Sequence, residues 1–338
     1  AEYAAASRER SAESTADRER REAMGEQLRC VTSVLSEAAD EIAAESGRDE
    51  ASERALKTEL GERGIAVADV VVTHGAENAV AAFMRSGAAS PDEIAAITGR
   101  VLGSAFAVKR TEKCAYPGYS MVEMREKPPF DAVFAVAGSS KNRAATGDTH
   151  SFVRLGQNRF MAALCDGMGS GARAEEMSAT SISLVESFYR AGFDNDTILS
   201  CVNKLLTSCG NEVFCAVDMV VLDMYNGLAD FIKLGAPAGV VRCGDEVEIV
   251  NGSSLPLGVL EEMRPSVTKM AFNCGDCVVL MTDGVTDCFR DVNAVAQIVT
   301  QSTLTNPQSM AEEIMQKAQK ICKGKPADDM TILVCKIS

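Results

Sequence analysis

The chain has 338 residues, of which 46% are hydrophobic, and it carries a formal net charge of -14 at pH 7. This length and composition allow a substantial core in two or three units, which excludes general disorder. The negative charge excludes nucleic acid as a partner, because affinity for a phosphate backbone comes from clustered Lys and Arg.

Residues 1–52 predict an N-terminal helical linker or regulatory helix. Arg, Glu, Ala and Ser dominate this segment and Pro is absent from it. Apolar residues recur at steps of four and three from Met24 to Ile42, which places one apolar seam along a helix. The seam packs on its own domain, or it pairs with a second subunit or with the catalytic unit; the sequence leaves both open.

Residues 53–128 predict a small α/β regulatory unit in the order helix, strand, strand, helix, strand, strand. Its second helix begins at Ser90-Pro91-Asp92-Glu93, which combines an N-cap, a Pro at the first helical position and a capping-box Glu. Gly103 ends that helix. The unit contains no catalytic motif, so we expect a regulatory or spacer role, and Pro128-Pro129 marks its boundary.

Residues 129–338 predict an α+β unit dominated by strands. Two helices, 172–190 and 194–208, form one layer, and two more, 292–301 and 307–322, form another. The predicted strands are 132–137, 160–165, 215–224, 229–234, 240–243, 247–250, 267–272, 277–282 and 331–336. Two antiparallel sheets between two helical layers match this order.

Four Asp-containing motifs lie beside apolar strands in this unit. They are Gly147-Asp148, Asp166-Gly167-Met168-Gly169-Ser170-Gly171, Asp283-Gly284, and Asp328-Asp329-Met330-Thr331. Carboxylates at strand ends, followed by Gly that permits close approach, suit a hard divalent cation. We therefore expect the four motifs to converge on one metal centre.

In their order, these motifs resemble those of the PPM family of metal-dependent serine/threonine protein phosphatases. More narrowly, they are similar to the bacterial stage II sporulation protein E family. The resemblance covers about residues 130–338 and extends more faintly through 56–126. It implies the PPM α-β-β-α sandwich for residues 129–338.

The resemblance also implies two divalent ions that share a bridging water and lower its pKa. Asp166 would bridge the ions, and the Gly167 carbonyl would bind the second ion. Asp283 and Asp328 would hold the first ion, and Asp148 the second, through water. Oxygen ligands favour Mn²⁺, the family's usual activator, with Mg²⁺ as the alternative.

Two neighbours compete with these ligands: Asp287 with Asp283, and Asp329 with Asp328. Strand alternation would let only one of Asp328 and Asp329 face the metals, and the family pattern selects Asp328.

Lys141 and Arg143 are the candidates for phosphate binding. Both lie in a polar loop ahead of the metal motifs, where a solvated surface role is equally consistent with the sequence.

The twelve cysteines and two histidines do not predict other chemistry. Several cysteines lie inside apolar runs and are expected to be reduced and buried. Cys274 and Cys277 have the spacing of half a zinc site or a redox pair, but Gly275-Asp276 favours a hairpin turn between them.

The resulting functional hypothesis is a Mn²⁺-dependent serine phosphatase. The resemblance implies a phosphorylated anti-anti-sigma protein as substrate and control of a sigma factor during sporulation. Two alternatives remain: a septum-associated scaffold with a structural metal site, and a metal phosphoesterase for small molecules.

The resemblance further implies a homodimer through the helices 172–190 and 194–208, the N-terminal helix, or both, together with cell-division partners. It implies a cytoplasmic fragment of a protein that a missing N-terminal region anchors in the membrane. In this hypothesis, rotation of the helix from Ala172 moves Gly167 relative to the metals.

Overall fold

The structure is a computed structural model that describes residues 47–75, 78–141, 146–155, 158–167, 172–208, 214–260 and 267–338. The predicted helical seam at Met24–Ile42 lies outside these residues. Within the described ranges, no helix is both long and apolar enough to cross a bilayer.

The first sheet belongs to the N-terminal part of the described chain. It has the antiparallel order β1-β2-β3-β5-β4, and both helices pack against it around one apolar cluster that includes Leu56, Ile94 and Met124. The elements are β1 (Gly47–Arg48), α1 (Glu50–Glu62), β2 (Val67–His74), β3 (Ala79–Arg85), α2 (Pro91–Leu102), β4 (Phe106–Lys113) and β5 (Tyr119–Glu126).

Local capping explains where these two helices begin and end. The Asp49 carboxylate accepts from the backbone N–H groups of Ala51 and Ser52 at the start of α1. Ser90 Oγ accepts from the backbone N–H of Glu93 at 3.1 Å, which satisfies an otherwise free donor of α2. Gly103 ends α2 in the left-handed conformation, with φ of 78°.

The remaining two sheets face each other. One has the order β13-β10-β9-β8-β7 and the other the order β12-β11-β14-β15-β6, and every pairing is antiparallel. The strands are β6 (Ala132–Ser139), β7 (Asp148–Arg154), β8 (Arg159–Gly167), β9 (Cys215–Asp223), β10 (Leu228–Leu234), β11 (Gly239–Cys243), β12 (Glu246–Val250), β13 (Val267–Ala271), β14 (Cys277–Met281) and β15 (Met330–Ile337).

Helices cover the outer face of each sheet. On the β7–β10 side these are α3 (Ala172–Arg190) and α4 (Asn195–Ser208); on the other side they are α5 (Asp283–Phe289), α6 (Val292–Gln301) and α7 (Pro307–Ile321). One apolar cluster lies between the sheets and one lies under each helical layer. The predicted α-β-β-α sandwich is confirmed.

Three local features differ from the sequence-based expectations. Strand β7 and the short helix α5 were not predicted, because neither shows a clear apolar period. The segment Gly275-Asp276 is a turn but not a hairpin, because β13 and β14 belong to different sheets. The Asp276 carboxylate is buried there and accepts from the backbone N–H groups of Gly244 and Asn273.

The cysteines in the described part of the chain are free thiols. Cys277 is buried while Cys274 is exposed, so the two side chains lie in different environments and not in a shared site. Cys165, Cys215 and Cys335 are buried among apolar side chains, as predicted.

Candidate metal centre

The predicted carboxylates come from both sheets of the sandwich. Asp148 begins β7 and is the direct register partner of Asp166 near the end of β8. Asp283 is the first residue of α5, immediately after β14, and Asp328 lies two residues before β15. Because β14 and β15 are neighbours in the opposite sheet, the structure brings these four residues to one end of the space between the sheets.

Asp148 joins the two sheets through hydrogen bonds. Its Oδ2 accepts from Thr282 Oγ1 at 3.0 Å and from Thr331 Oγ1 at 2.6 Å. The backbone N–H of Thr331 donates to Thr282 Oγ1 at 2.9 Å, which aligns both hydroxyls. Desolvation raises the pKa of Asp148 to about 6, although the two threonine hydrogen bonds oppose the shift.

Asp166 is half-buried and surrounded by other carboxylates. Burial and then the negative charges of Asp148, Asp283 and Asp328 raise its pKa to about 7. Asp283 lies at the exposed rim; partial desolvation of its carboxyl and the charge of Asp328 raise its pKa, while a hydrogen bond with Asp166 opposes the rise. A cation among these groups would relieve their mutual repulsion.

The glycines that follow the metal-site aspartates permit close backbone contacts. A Cβ on Gly167 would lie 2.3 Å from the Ala174 carbonyl oxygen in α3, and a Cβ on Gly284 would lie 2.1 Å from the Asp329 carbonyl oxygen. Any side chain would force these segments apart. In addition, Ser178 Oγ of α3 donates to the Gly147 carbonyl at 2.8 Å. The first turns of α3 therefore pack directly on the segments that carry Asp148 and Asp166.

Asp328 and Asp329 have different environments, but the alternation argument for them was wrong. Both residues precede β15, so strand alternation does not apply. Asp329 is buried, and its carboxylate accepts from the backbone N–H groups of Lys141 and Gly147, each at 2.7 Å. Asp328 is exposed, and its Oδ1 accepts from the Asp329 N–H at 2.9 Å. Asp329 thus holds a loop, while Asp328 keeps a side chain open to solvent.

The backbone N–H of Lys141 donates to the Asp329 carboxylate, so Lys141 lies beside the candidate site. The side chain of Lys141 is exposed. Arg143 lies outside the described residues. The assignment of these two residues to phosphate binding stays a prediction.

The donor set fits a divalent cation in its chemistry, since it consists of oxygen ligands with unneutralised charge. Within the described ranges, no three Asp, Glu, His or Cys side chains are gathered closely enough to enclose an ion as they stand.

A small cleft of about 20 Å³ adjoins two of these carboxylates. Asp166 and Asp283 line it, together with Asp218 of β9 and the segment Gly235–Pro237. Sequence reasoning missed Asp218 and its partner Lys233, which are discussed below. It also missed the roles of Thr282 and Thr331, although Thr331 belongs to one of the Asp motifs that it singled out and Thr282 directly precedes another.

Comparison with known proteins agrees with this architecture. A solved structure of the PP2C phosphatase domain and a fragment of the regulatory domain of the cell fate determinant SpoIIE from Bacillus subtilis has a TM-score of 0.65 and 22% identity, and the match covers 92% of this chain and 96% of that one. The catalytic domain of the serine/threonine phosphatase PstP in complex with two manganese ions has a TM-score of 0.50 and 15% identity, over 62% of this chain and 99% of that one. The fold is that of PP2C-type phosphatase domains.

The sequence defines the family more narrowly. The sequence model described as stage II sporulation protein E (SpoIIE) matches residues 156–338, and the chain belongs to this family. Stage II sporulation protein E of Bacillus subtilis (strain 168) is 26% identical over 328 residues, which cover 94% of this chain and 40% of that protein. The chain spans about two-fifths of the length of the curated relatives it matches.

Proposed function

We propose that this chain is a Mn²⁺-dependent protein serine phosphatase whose substrate is a phosphorylated anti-anti-sigma protein. Dephosphorylation of that protein would activate a sigma factor during sporulation. The phosphatase assignment rests on the positions of four carboxylates. Asp148 and Asp166 of one sheet lie near Asp283, which follows β14, and Asp328, which precedes β15 of the other sheet. Membership of the SpoIIE family supports the sporulation role.

In the proposed site, Asp166 would be shared by two divalent ions, and Asp283 and Asp328 would hold the first. Asp148, through water, and the Gly167 carbonyl would hold the second. When bound, the ions would neutralise the phosphoryl oxygens and lower the pKa of a bridging water. The donor chemistry supports Mn²⁺, or Mg²⁺ in its place. The two manganese ions of PstP, which shares the fold, support the number.

The chain's own residues orient this site. Thr282 and Thr331 both donate to Oδ2 of Asp148, so Oδ1 is the oxygen that would serve the proposed second ion through water. Asp329 accepts hydrogen bonds from the backbone N–H groups of Lys141 and Gly147, and so anchors the residue that directly precedes Asp148. Exposure of Asp283 and Asp328 leaves one side of the site open to a protein substrate.

Phosphate capture by Lys141 and Arg143 belongs to the same proposal. The bond from the Lys141 backbone to Asp329 supports a position beside the metal site for this loop.

The test is release of inorganic phosphate from a phosphoserine anti-anti-sigma protein, measured with and without Mn²⁺ and beside a small aryl phosphate. We expect Mn²⁺-dependent release that strongly favours the protein. Equal or better hydrolysis of the small ester would favour a small-molecule phosphoesterase. Mn²⁺ binding without hydrolysis of either compound would favour a scaffold at the division septum with a structural metal site.

We also propose that α3 couples regulation to the metal site. Its first turns pack on Gly147 and Gly167, so a rotation of α3 would move a proposed metal-binding carbonyl. A homodimer through α3 and α4, or through the N-terminal helix, would act by this route, and cell-division proteins are further candidate partners. Membrane anchoring of the longer protein, with these residues in the cytoplasm, rests on the resemblance alone.

A further inference from the structure

A buried ion pair lies beside the candidate metal centre. Asp218 and Lys233 are direct cross-strand partners on β9 and β10. Lys233 Nζ lies 2.6 Å from Asp218 Oδ2 and donates to the Pro237 carbonyl at 2.9 Å. The side chains are only 2% and 3% exposed. Lys233 therefore fixes both the carboxylate and the segment Gly235–Pro237 that lines the cleft.

Glycines leave the space that this lysine occupies. A Cβ on Gly252 would lie 2.8 Å from the Lys233 Cβ, and a Cβ on Gly239 would lie 3.0 Å from its Nζ. The local sequence thus accommodates a charged side chain inside the sandwich. A buried ion pair contributes little net stability compared with apolar side chains of similar volume, because desolvation offsets the attraction. Stability alone does not account for this pair.

The second oxygen of the carboxylate distinguishes this pair from an ordinary salt bridge. Asp218 Oδ1 is buried and accepts no hydrogen bond of ordinary geometry among the described residues. Burial raises the pKa of Asp218, and the charge of Lys233 and the nearby backbone N–H of Met281 oppose the rise. Asp218 lines the same cleft as Asp166 and Asp283. A buried carboxylate oxygen that lacks a well-formed hydrogen bond keeps its desolvation penalty unless a donor enters the cleft. A ligand of the cleft would supply that donor.

We propose that Asp218 is a positioning residue of the phosphatase site. Lys233 fixes one carboxylate oxygen, and the other accepts a hydrogen bond from a water molecule in the cleft between Asp166 and Asp283. A water that donates to Asp218 directs its lone pairs away from it, toward the ions that Asp166 and Asp283 would hold. The inference rests on the proposed function, because the water's orientation matters only if this cleft is the phosphatase site.

Asp218→Asn tests the proposal with the smallest change in shape. The amide oxygen can still accept from Lys233, while the amide nitrogen then presents a donor to the cleft and opposes the water's orientation. Groups that orient the shell around a metal affect metal affinity or activity by about 10–100-fold. We expect the Mn²⁺ concentration for half-maximal thermal stabilisation and for half-maximal activity to rise by that factor, with KM for the phosphoprotein within about twofold.

Two further variants separate positioning from structure. The double variant Asp218→Leu with Lys233→Met removes both charges while keeping apolar volume, so it should fold and show the same shift in Mn²⁺ dependence. Asp276→Asn is the matched control, because Asp276 is also a buried carboxylate of the sandwich but both of its oxygens have backbone partners. We expect a lower Tm and an unchanged Mn²⁺ midpoint for this control.

A lower metal-free Tm with an unchanged Mn²⁺ midpoint in Asp218→Asn would overturn the proposal and leave the pair a structural one. A double variant with wild-type Mn²⁺ dependence would overturn it equally. Failure of the proposed function would be seen in the wild-type chain instead, as absence of both Mn²⁺-induced stabilisation and phosphate release. These two kinds of failure can be told apart, because the results that overturn the role of Asp218 are seen only when the wild-type enzyme is active.

Discussion

Buried carboxylates have opposite environments in the small N-terminal sheet and in the two-sheet sandwich. In the small sheet, Glu53 is buried but bonded to Arg48 and to the backbone N–H of Val72, and these hydrogen bonds lower its pKa. Burial of Glu123 is outweighed by hydrogen bonds from Arg110 and Arg125, so its pKa is lowered as well. These carboxylates are neutralised within the protein.

In the sandwich, burial and mutual repulsion raise the pKa values of Asp148 and Asp166 instead. This contrast indicates where the functional site is, because ionisable groups with shifted pKa values and no counter-ion from the protein are typical of a ligand-binding site. The buried pair of Asp218 and Lys233 stands between these extremes, since only one of the two oxygens of its carboxylate is satisfied.

The largest effect should follow from Asp166→Asn. This change removes a charge that both proposed ions need, so we expect phosphate release to fall by several orders of magnitude while the protein stays folded. The metal-free Tm should not fall, because the substitution also relieves repulsion from Asp148, Asp283 and Asp328. Turnover is measured by phosphate release, and the metal-free Tm by thermal unfolding.

Glu123→Gln is the control from the small sheet. It should lower Tm by about 2–4 °C or more, because it weakens the bonds to Arg110 and Arg125, and leave turnover near wild type. Near-normal Mn²⁺-dependent activity in Asp166→Asn would show that the metal assignment is wrong.

The next largest effect should distinguish Asp328 from Asp329. Asp328→Asn is expected to abolish most of the activity with little change in Tm, because its side chain is exposed. Asp329→Asn should lower the free energy of unfolding by about 1–3 kcal/mol. The reason is that its carboxylate accepts hydrogen bonds from the backbone N–H groups of Lys141 and Gly147, ahead of β7. Chemical denaturation and initial rates, measured on both variants, test this. Equal losses of activity at equal stability would contradict the assignment.

We expect pH to have a moderate effect on the stability of the metal-free protein. Folding raises the pKa of Asp148 to about 6 and that of Asp166 to about 7, above their unfolded values near 4. Their contribution to stability is full below the unfolded pKa and is lost as pH rises through about 6 and 7. The lowered pKa of Glu53 acts with the opposite sign and only at lower pH.

We therefore expect the metal-free Tm to fall between pH 5.5 and 8, measured in a chelating buffer. The Asp166→Asn variant should show a smaller fall, and saturating Mn²⁺ should remove the trend because it favours the charged carboxylates. A Tm that rises with pH in the metal-free wild type would contradict the raised pKa values.

The smallest effect should come from the N-terminal segment. If residues 24–42 bias the packing of α3, their removal should shift the Mn²⁺ concentration for half-maximal activity or the monomer–dimer balance. The predicted linker boundary at residue 52 would place this cut inside α1. The structure favours a chain that begins at Gly47, because Arg48 bonds Glu53 and Asp49 caps α1. Superimposable Mn²⁺ titrations and identical sedimentation of both chains would leave the segment a passive linker.

Much of the fold was predictable because local patterns agree with it. Strands such as β14 are continuous apolar runs, and α2 has both its Ser90 cap and its Gly103 stop in the sequence. Strand β7 was missed because Asp148, Thr149 and His150 interrupt its apolar pattern, and the same Asp148 is part of the site.

By itself, the sequence determined the α-β-β-α order and the four Asp motifs, because apolar runs and Asp-Gly pairs are local properties of the chain. Only the tertiary structure decided how the motifs are used. The difference between Asp328 and Asp329 comes from backbone donors nearly 190 residues away in sequence, and the bonds of Thr282 and Thr331 to Asp148 cross between sheets. The free oxygen of Asp218 likewise depends on which groups the packed sheets bring near it and which they do not. Hydrogen-bond partners and desolvation are properties of the packed sheets, so no local pattern specifies them.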